Sequence, residues 1–291
     1  HMLLHWKALG TKQQYGSATN FIKIGNFKDG LEDFSKIIKL YPKNYSAFLH
    51  IGNIKMELKD IKSAIFFYDK AIELNPSFTD AFYNRGNAYF DLKNYQNAIT
   101  DYSKAIELDD KYTSAYLNRA LAKFDNNDFE SAVLDYNKVL EFEPNNIDVI
   151  YYRGETKYEL EDYNGATTDL NRVIKLDPFY SKAYLILAFI KSELQDYENA
   201  ILTYDKLIKL EPNEAFYYFF RGNAKSKNSN FEGSLVDFNK AIELEPNDSD
   251  FYYYRGITKL NLKQDTACLD FETALKLGNE DAKEMIEEYC E

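Results

Sequence analysis

Residues 79–112, TDAFYNRGNAYFDLKNYQNAITDYSKAIELDDKY, run directly into residues 113–146, TSAYLNRALAKFDNNDFESAVLDYNKVLEFEPNN. Laid one above the other they agree at Asn84 and Asn118, Arg85 and Arg119, Phe90 and Phe124, Asp101 and Asp135, and Tyr102 and Tyr136. The agreement recurs along the chain. Pro42, Pro76, Pro144, Pro178, Pro212 and Pro246 fall in one register with a period of 34, and Asp110 occupies the single gap. A fixed period of this size is the signature of stacked repeats. Such a chain grows by adding units, not by enlarging one core.

With each proline set at position 32, the units start at Thr11, Tyr45, Thr79, Thr113, Ile147, Ser181, Ala215 and Ser249. Position 8 is always small: Ala18, Gly52, Gly86, Ala120, Gly154, Ala188, Gly222 and Gly256. Position 20 is small as well, from Gly30 and Ala64 to Ala200 and Ser234, with Ala267 taking that role after a one-residue deletion in the last unit. Position 24 is large: Phe34, Tyr68, Tyr102, Tyr136, Leu170, Tyr204, Phe238 and Phe271. Two small faces and one large filler fit two antiparallel helices in close approach. Position 16 is Asn26, Asp60, Asn94, Asp128, Asp162, Asp196 or Asn230, residues that cap a helix by accepting from its unpaired N–H groups. Apolar residues at helical spacing follow, as in Tyr95, Ala98, Ile99, Tyr102, Ala105 and Ile106. Proline two residues past the last leucine stops that helix. Each unit therefore reads as two helices of about 14 residues joined by a short turn.

This pattern resembles the tetratricopeptide repeat family. The resemblance covers residues 11 to about 282, and it implies an all-α, right-handed superhelical solenoid of antiparallel helix hairpins. Residues 1–10 are a flank carrying a cloning remnant at His1-Met2. Residues 11–282 form the array of eight repeats. Residues 280–291, with Ala282, Met285, Ile286 and Tyr289 on one stripe, form a capping helix. Gln14 and Ser17 make the first unit the weakest match and give it polar residues in its first helix, as a terminal cap requires. The chain departs from the family at position 4, where Phe48, Phe82, Tyr116, Ile150, Tyr184, Tyr218 and Tyr252 stand in place of the usual Trp.

Position 7 is Arg in five units (Arg85, Arg119, Arg153, Arg221 and Arg255), and position 23 of the same five is Asp (Asp101, Asp135, Asp169, Asp237 and Asp270). In the second unit both become apolar (Ile51, Phe67), and in the sixth they become Leu187 and Thr203. The two positions face each other across one hairpin, which predicts a partly buried ion pair within each of the five units. An arginine row left free for anionic ligands is the competing expectation.

The resemblance also implies that the first helices line a concave groove. That gives Asn53 from the second unit; Tyr83, Asn87, Phe90 and Asp91 from the third; and Leu117, Leu121, Phe124 and Asp125 from the fourth. The fifth supplies Tyr151, Glu155, Tyr158 and Glu159, and the sixth Leu185, Phe189 and Glu193. Phe219 and Asn223 come from the seventh and Tyr253 from the eighth. Apolar anchors rimmed by charge mark a protein interaction site. An acidic row at Glu57, Asp91, Asp125, Glu159 and Glu193 favours a basic partner. The asparagines at position 9, with Asn84 and Asn118 nearby, offer a donor and an acceptor to a peptide backbone. No unit has Lys at position 5, which argues against the family's clamp for acidic C-terminal tails. The plain alternative is that these aromatics pack between neighbouring first helices and the acids form a solvated face.

Composition narrows the function classes. The 291 residues are 45% apolar and 28% charged, with a net charge of −12. A globular balance excludes disorder, and the negative charge disfavours nucleic acid. No apolar run reaches membrane-spanning length. The three histidines, His1, His5 and His50, leave little for nucleophile–base chemistry. No phosphate loop or metal spacing is present, so the chain reads as non-enzymatic and free of cofactors. Cys268 and Cys290 show no disulfide-framework spacing, and Cys268 sits among apolar neighbours. Two unpaired cysteines favour a reducing, cytoplasmic compartment, with export the alternative if a leader was trimmed ahead of His1. The expected role is a protein–protein interaction scaffold that binds a peptide or partner segment with apolar anchors and basic residues. A self-assembling homo-oligomeric module, or the interaction domain of a larger regulator or enzyme, are the alternatives.

Overall fold

The computed structural model describes residues 26–290, which form sixteen helices with no strand among the described residues. The flank at 1–10 and the expected first helix of the first repeat, with Gln14, Ser17 and Ala18, lie outside them. The chain divides into two compact units, residues 1–149 and 150–291. The first holds α1 (Phe27–Leu40), α2 (Tyr45–Glu57), α3 (Ile61–Leu74), α4 (Thr79–Asp91), α5 (Tyr95–Leu108), α6 (Thr113–Asp125) and α7 (Phe129–Phe142). Helix α8 (Ile147–Glu159) begins at the division. The second unit continues with α9 (Tyr163–Leu176), α10 (Ser181–Glu193), α11 (Tyr197–Leu210), α12 (Ala215–Lys227), α13 (Phe231–Leu244), α14 (Ser249–Asn261), α15 (Ala267–Lys276) and α16 (Ala282–Tyr289). Each first helix from Tyr45 to Ser249 starts at position 1 of its repeat, as the register predicts.

The turn inside each hairpin repeats one backbone solution. Position 15 is left-handed at Lys59, Lys93, Asn127, Glu161, Gln195, Ser229 and Lys263, with φ between 54° and 60°. In the third repeat the N–H of Lys93 donates to the Phe90 carbonyl at 2.8 Å and that of Asn94 to the Tyr89 carbonyl at 2.9 Å. That pair of bonds is a Schellman motif, which satisfies the last carbonyls of the first helix. The next residue is already the N-cap of the second helix. Asn26, Asp60, Asn94, Asp162 and Asn230 accept from backbone N–H groups there. Asp128 and Asp196 hold the same position without that bond. Asp196 instead accepts from the Asn199 amide at 3.0 and 2.8 Å.

The core sits between the two helices of each hairpin. Tyr68, Tyr102 and Tyr136 in the first unit, and Leu170, Tyr204, Phe238 and Phe271 in the second, are buried almost completely. Taking one such side chain out of water contributes about 1.5–3 kcal/mol. The small residue at position 8 makes room for it: a Cβ added at Gly86 would lie 2.7 Å from the Tyr102 ring, and one at Gly256 2.6 Å from Phe271.

The predicted ion pairs form in all five repeats. Each guanidinium grips its aspartate through Nε and Nη2 at 2.5–2.9 Å. The aspartates are almost fully buried. Lys123, Lys157, Lys225 and Lys259 add a second cation to four of them at 2.7–2.8 Å. The remaining Nη1 reaches the preceding repeat, as from Arg85 to Asp69 and from Arg119 to Ser103. Four of the guanidinium groups also lie over the aromatic ring at position 4, among them Arg85 over Phe82 and Arg221 over Tyr218. A guanidinium held this way is structural, so the expectation of a free arginine row fails.

At the C-terminal end, α16 covers the last hairpin. Ala282 is buried, and Met285 and Ile286 pack against the Phe271 cluster. Tyr289 is half exposed and leaves the predicted stripe, whose place Cys290 takes. The expectation of two unpaired cysteines is overturned: Cys268 and Cys290 form a disulfide. The chain runs out along α15 and back along α16 over a sequence separation of 22, which brings the two Cα atoms to 5.6 Å. Cys268 is only partly buried, at the rim of the core. The reading of a reducing compartment rests on unpaired thiols and loses its ground with them.

Candidate peptide-binding recess

In the first unit the position-9 asparagines are fixed by a repeated bond pattern. The Tyr68 hydroxyl donates to Asn53 Oδ1 at 2.8 Å, and Asn84 Nδ2 of the next repeat donates to the same oxygen at 3.0 Å. One repeat on, the Tyr102 hydroxyl and Asn118 Nδ2 donate to Asn87 Oδ1 at 2.8 and 2.9 Å. Asn118 also reaches the Tyr83 hydroxyl at 3.0 Å. Both lone pairs of the Asn87 carbonyl are thus occupied by the scaffold, so only its Nδ2 donor remains. No buried side-chain N or O atom lacks a partner among the described residues, so that free donor is open to solvent. The expected two-ended clamp reduces to a donor.

Asn87, Phe90, Asp91, Tyr102, Asn118 and Leu121 line a recess of about 210 Å³ between α4 and α6. Four of them, Asn87, Phe90, Asp91 and Leu121, belong to the set expected from the sequence. Asn118 stands beside that set, and Tyr102 reads in the sequence only as a core filler; position 6 of one repeat meeting position 9 of the preceding one is the signal that links them. Phe90 packs edge-on against Tyr95 at 5.6 Å, and Phe124 against Phe129 at 5.3 Å. Each ring thus leans on its own hairpin and keeps part of its surface open. Leu117 is half-buried, and Asp91 and Asp125 are exposed.

In the second unit the expected residues divide. Tyr151 is only 5% exposed, and its hydroxyl donates to Glu155 Oε1 at 2.8 Å. Its ring packs on Tyr180. Burial pushes both the Tyr151 phenol and the Glu155 carboxyl above their ordinary ranges. Phe219 is 8% exposed, enclosed by Phe220, Phe238, Phe251 and Tyr254. Tyr151 and Phe219 are therefore core, a correction to their place in the groove. The cause is visible in the neighbours: large rings at Tyr180 and Phe251 close over them. Phe189 is half-buried edge-on to Phe220, and Leu185 packs beside it. Tyr158 tilts over Tyr163, and Tyr253 meets Phe271. Glu159 and Glu193 are exposed. Asn223 has Phe238, not tyrosine, at position 24 behind it, and its side chain makes no hydrogen bond among the described residues.

No described helix is long and apolar enough to cross a membrane. Family models described as tetratricopeptide repeat match residues 79–112, 113–146, 181–214, 217–248 and 238–270, and one described as TPR repeat matches 52–93. No curated protein matches the sequence. Among solved structures, a tetratricopeptide repeat protein from Parabacteroides merdae is 22% identical, with a TM-score of 0.63 over 84% of this chain and 97% of that one. The C-terminal part of a TPR repeat-containing protein from Cytophaga hutchinsonii is 18% identical, with a TM-score of 0.69 over 81% of this chain and 97% of that one. MamA from Desulfovibrio magneticus is 21% identical, with a TM-score of 0.55 over 57% of this chain and 94% of that one. With repeat models spanning more than half of its length and a hairpin register that holds from residue 45 to residue 276, the chain belongs to the tetratricopeptide repeat family and is a protein–protein interaction scaffold.

Proposed function

We propose that the recess between α4 and α6 takes an extended segment of a partner protein that carries one apolar anchor and flanking Lys or Arg. The observation that carries this reading is the convergence of four expected residues on one concavity: an amide donor at Asn87, apolar walls at Phe90 and Leu121, and a carboxylate at Asp91. A cavity of about 210 Å³ suits one side chain. Asp91 and Asp125 sit at the same position of adjacent repeats, and exposed carboxylates of that kind speed encounter with a basic segment and select against acidic ones. Because the Tyr102–Asn87–Asn118 bonds hold the wall in place, the partner does not have to order it, which lowers the cost of binding. The scaffold reading includes no catalysis and no nucleic acid partner.

Peptide display against the intact chain tests this. The expected ligands combine an aliphatic or aromatic residue with Lys or Arg. Phe90→Ala and Asp91→Lys weaken them at least tenfold while circular dichroism stays helical. Ligands that ignore both substitutions would place the site elsewhere.

A further inference from the structure

The repeat at residues 181–214 differs from its neighbours in its charge pairing. It lacks the Arg–Asp pair, having Leu187 and Thr203 at those positions, yet it keeps the lysine that elsewhere joins the pair. Lys191 donates to Thr203 Oγ1 at 2.7 Å and to the Asn199 carbonyl at 3.5 Å, and it makes no ion pair among the described residues. The repeat at residues 45–78 also lacks the Arg–Asp pair, but there Lys55 bonds Asp60 at 2.9 Å. The residue equivalent to Asp60 here is Asp196, which the Asn199 amide occupies. Burial lowers the proton affinity of the Lys191 ammonium; Asp196 opposes the effect and Lys206 adds to it.

A second irregularity lies one turn away. Position 26 is basic in every repeat from Lys36 to Lys240. Lys70, Lys104, Lys138 and Lys240 each hold a glutamate three residues on, at 2.6–3.0 Å. Lys206 has Lys209 at that place instead, and neither has a carboxylate partner among the described residues. Lys206 lies 5.8 Å from the centre of the Tyr184 ring.

These three lysines line one cavity of about 330 Å³ on the α11 side, with Asn199, Thr203, Leu202 and Asp205 also in its wall. The Asp205 carboxylate is already taken by Arg221 at 2.6 Å. Three lysines without an ion-pair partner among the described residues thus line one cavity in a chain whose net charge is −12. We propose that this cavity binds a phosphate monoester. Lysines act as point-charge donors to phosphate. A monoester carries about −1.5 to −2 at neutral pH, which matches three cations better than a single carboxylate does. Leu202, 58% exposed, offers an apolar wall to the ester substituent.

The monoester is either a free small molecule or a phosphorylated side chain of a partner. Titration calorimetry on the full chain separates the two, using inorganic phosphate, O-phosphoserine and a phosphoserine peptide beside its unphosphorylated form. Phosphoserine binds the wild type. Lys206→Gln/Lys209→Gln weakens it at least tenfold, and Lys191→Met does the same without lowering the melting temperature. Lys104→Gln, a lysine of the same register held by Glu107, stays within twofold. A phosphopeptide at least tenfold tighter than phosphoserine assigns the phosphate to a partner protein; equal affinities assign a free monoester. Absence of phosphoserine binding, or equal binding by wild type and the double variant, overturns the proposal.

Discussion

Glycine at position 8 and the polar bond behind the recess depend on each other. In the two repeats where a tyrosine at position 24 reaches an asparagine at position 9, position 8 is Gly52 or Gly86. Without a Cβ, the ring approaches closely enough for its hydroxyl to find the amide. Gly86→Ala pushes the Tyr102 ring outward and breaks its bond to Asn87. The loss of one hydrogen bond and the crowding outweigh the better helix propensity of alanine, for a net cost of about 1–2 kcal/mol in urea unfolding. Gly154→Ala meets milder contacts of 3.2 Å with Asp169 and Leu170, so the gain in helix propensity offsets the crowding and stability stays within about 1 kcal/mol. Charge at the residue scale is as sharply placed. Asp237 is 1% exposed and pairs with both Arg221 and Lys225. Asp237→Asn leaves Lys225 without a carboxylate and Arg221 with Asp205 alone, and costs about 3–5 kcal/mol. A measured cost below 1 kcal/mol would mean that the pair is solvated. The Arg–Asp pairing was legible from the sequence because the two residues change together. The burial of Tyr151 and Phe219 was not, because it depends on Tyr180 and Phe251, which lie 29 and 32 positions further along the chain.

At the scale of the element, the hairpin turn carries strain at a fixed place. Seven residues with side chains adopt the left-handed conformation at position 15, where a Cβ costs about 1 kcal/mol relative to glycine. Gln195→Gly relieves that cost, less the entropy that glycine loses on folding, and raises stability by about 0.3–1 kcal/mol. A destabilised variant would mean that the Gln195 side chain holds the turn. The N-caps at position 16 were legible because Asn and Asp recur there, and so were the helix starts, which fall on the expected residue in every repeat from Tyr45 to Ser249. The turn strain was not legible, since Lys, Glu, Gln and Ser carry no left-handed signal. The disulfide also belongs to this scale. Closing a loop of 22 residues restricts the unfolded chain by about 3 kcal/mol. Cys268→Ser therefore lowers the melting temperature, and added reductant then has no further effect on the variant. An unchanged melting temperature would show that α16 docks through Ala282, Met285 and Ile286 alone.

For the molecule as a whole, repetition made the fold readable and made the site hard to read. Each repeat restates the same register, so eight weak signals add to one strong one, and the hairpins follow from it. The site depends on where the repeats differ, and one sequence does not say which differences matter. Asn87, Phe90, Asp91 and Leu121 were expected and do meet in one recess, whereas the candidates in residues 150–291 are spread among core and surface. The cavity with Lys191, Lys206 and Lys209 arises in the same way, from one repeat that drops its aspartate and another of its acids. The most direct test of the central claim is hydrogen exchange on the full chain with and without a peptide selected by display. The account predicts slowed exchange at residues 79–91 and 113–125, the first helices that wall the recess, with no change at 129–142. Protection confined to the second helices would contradict it.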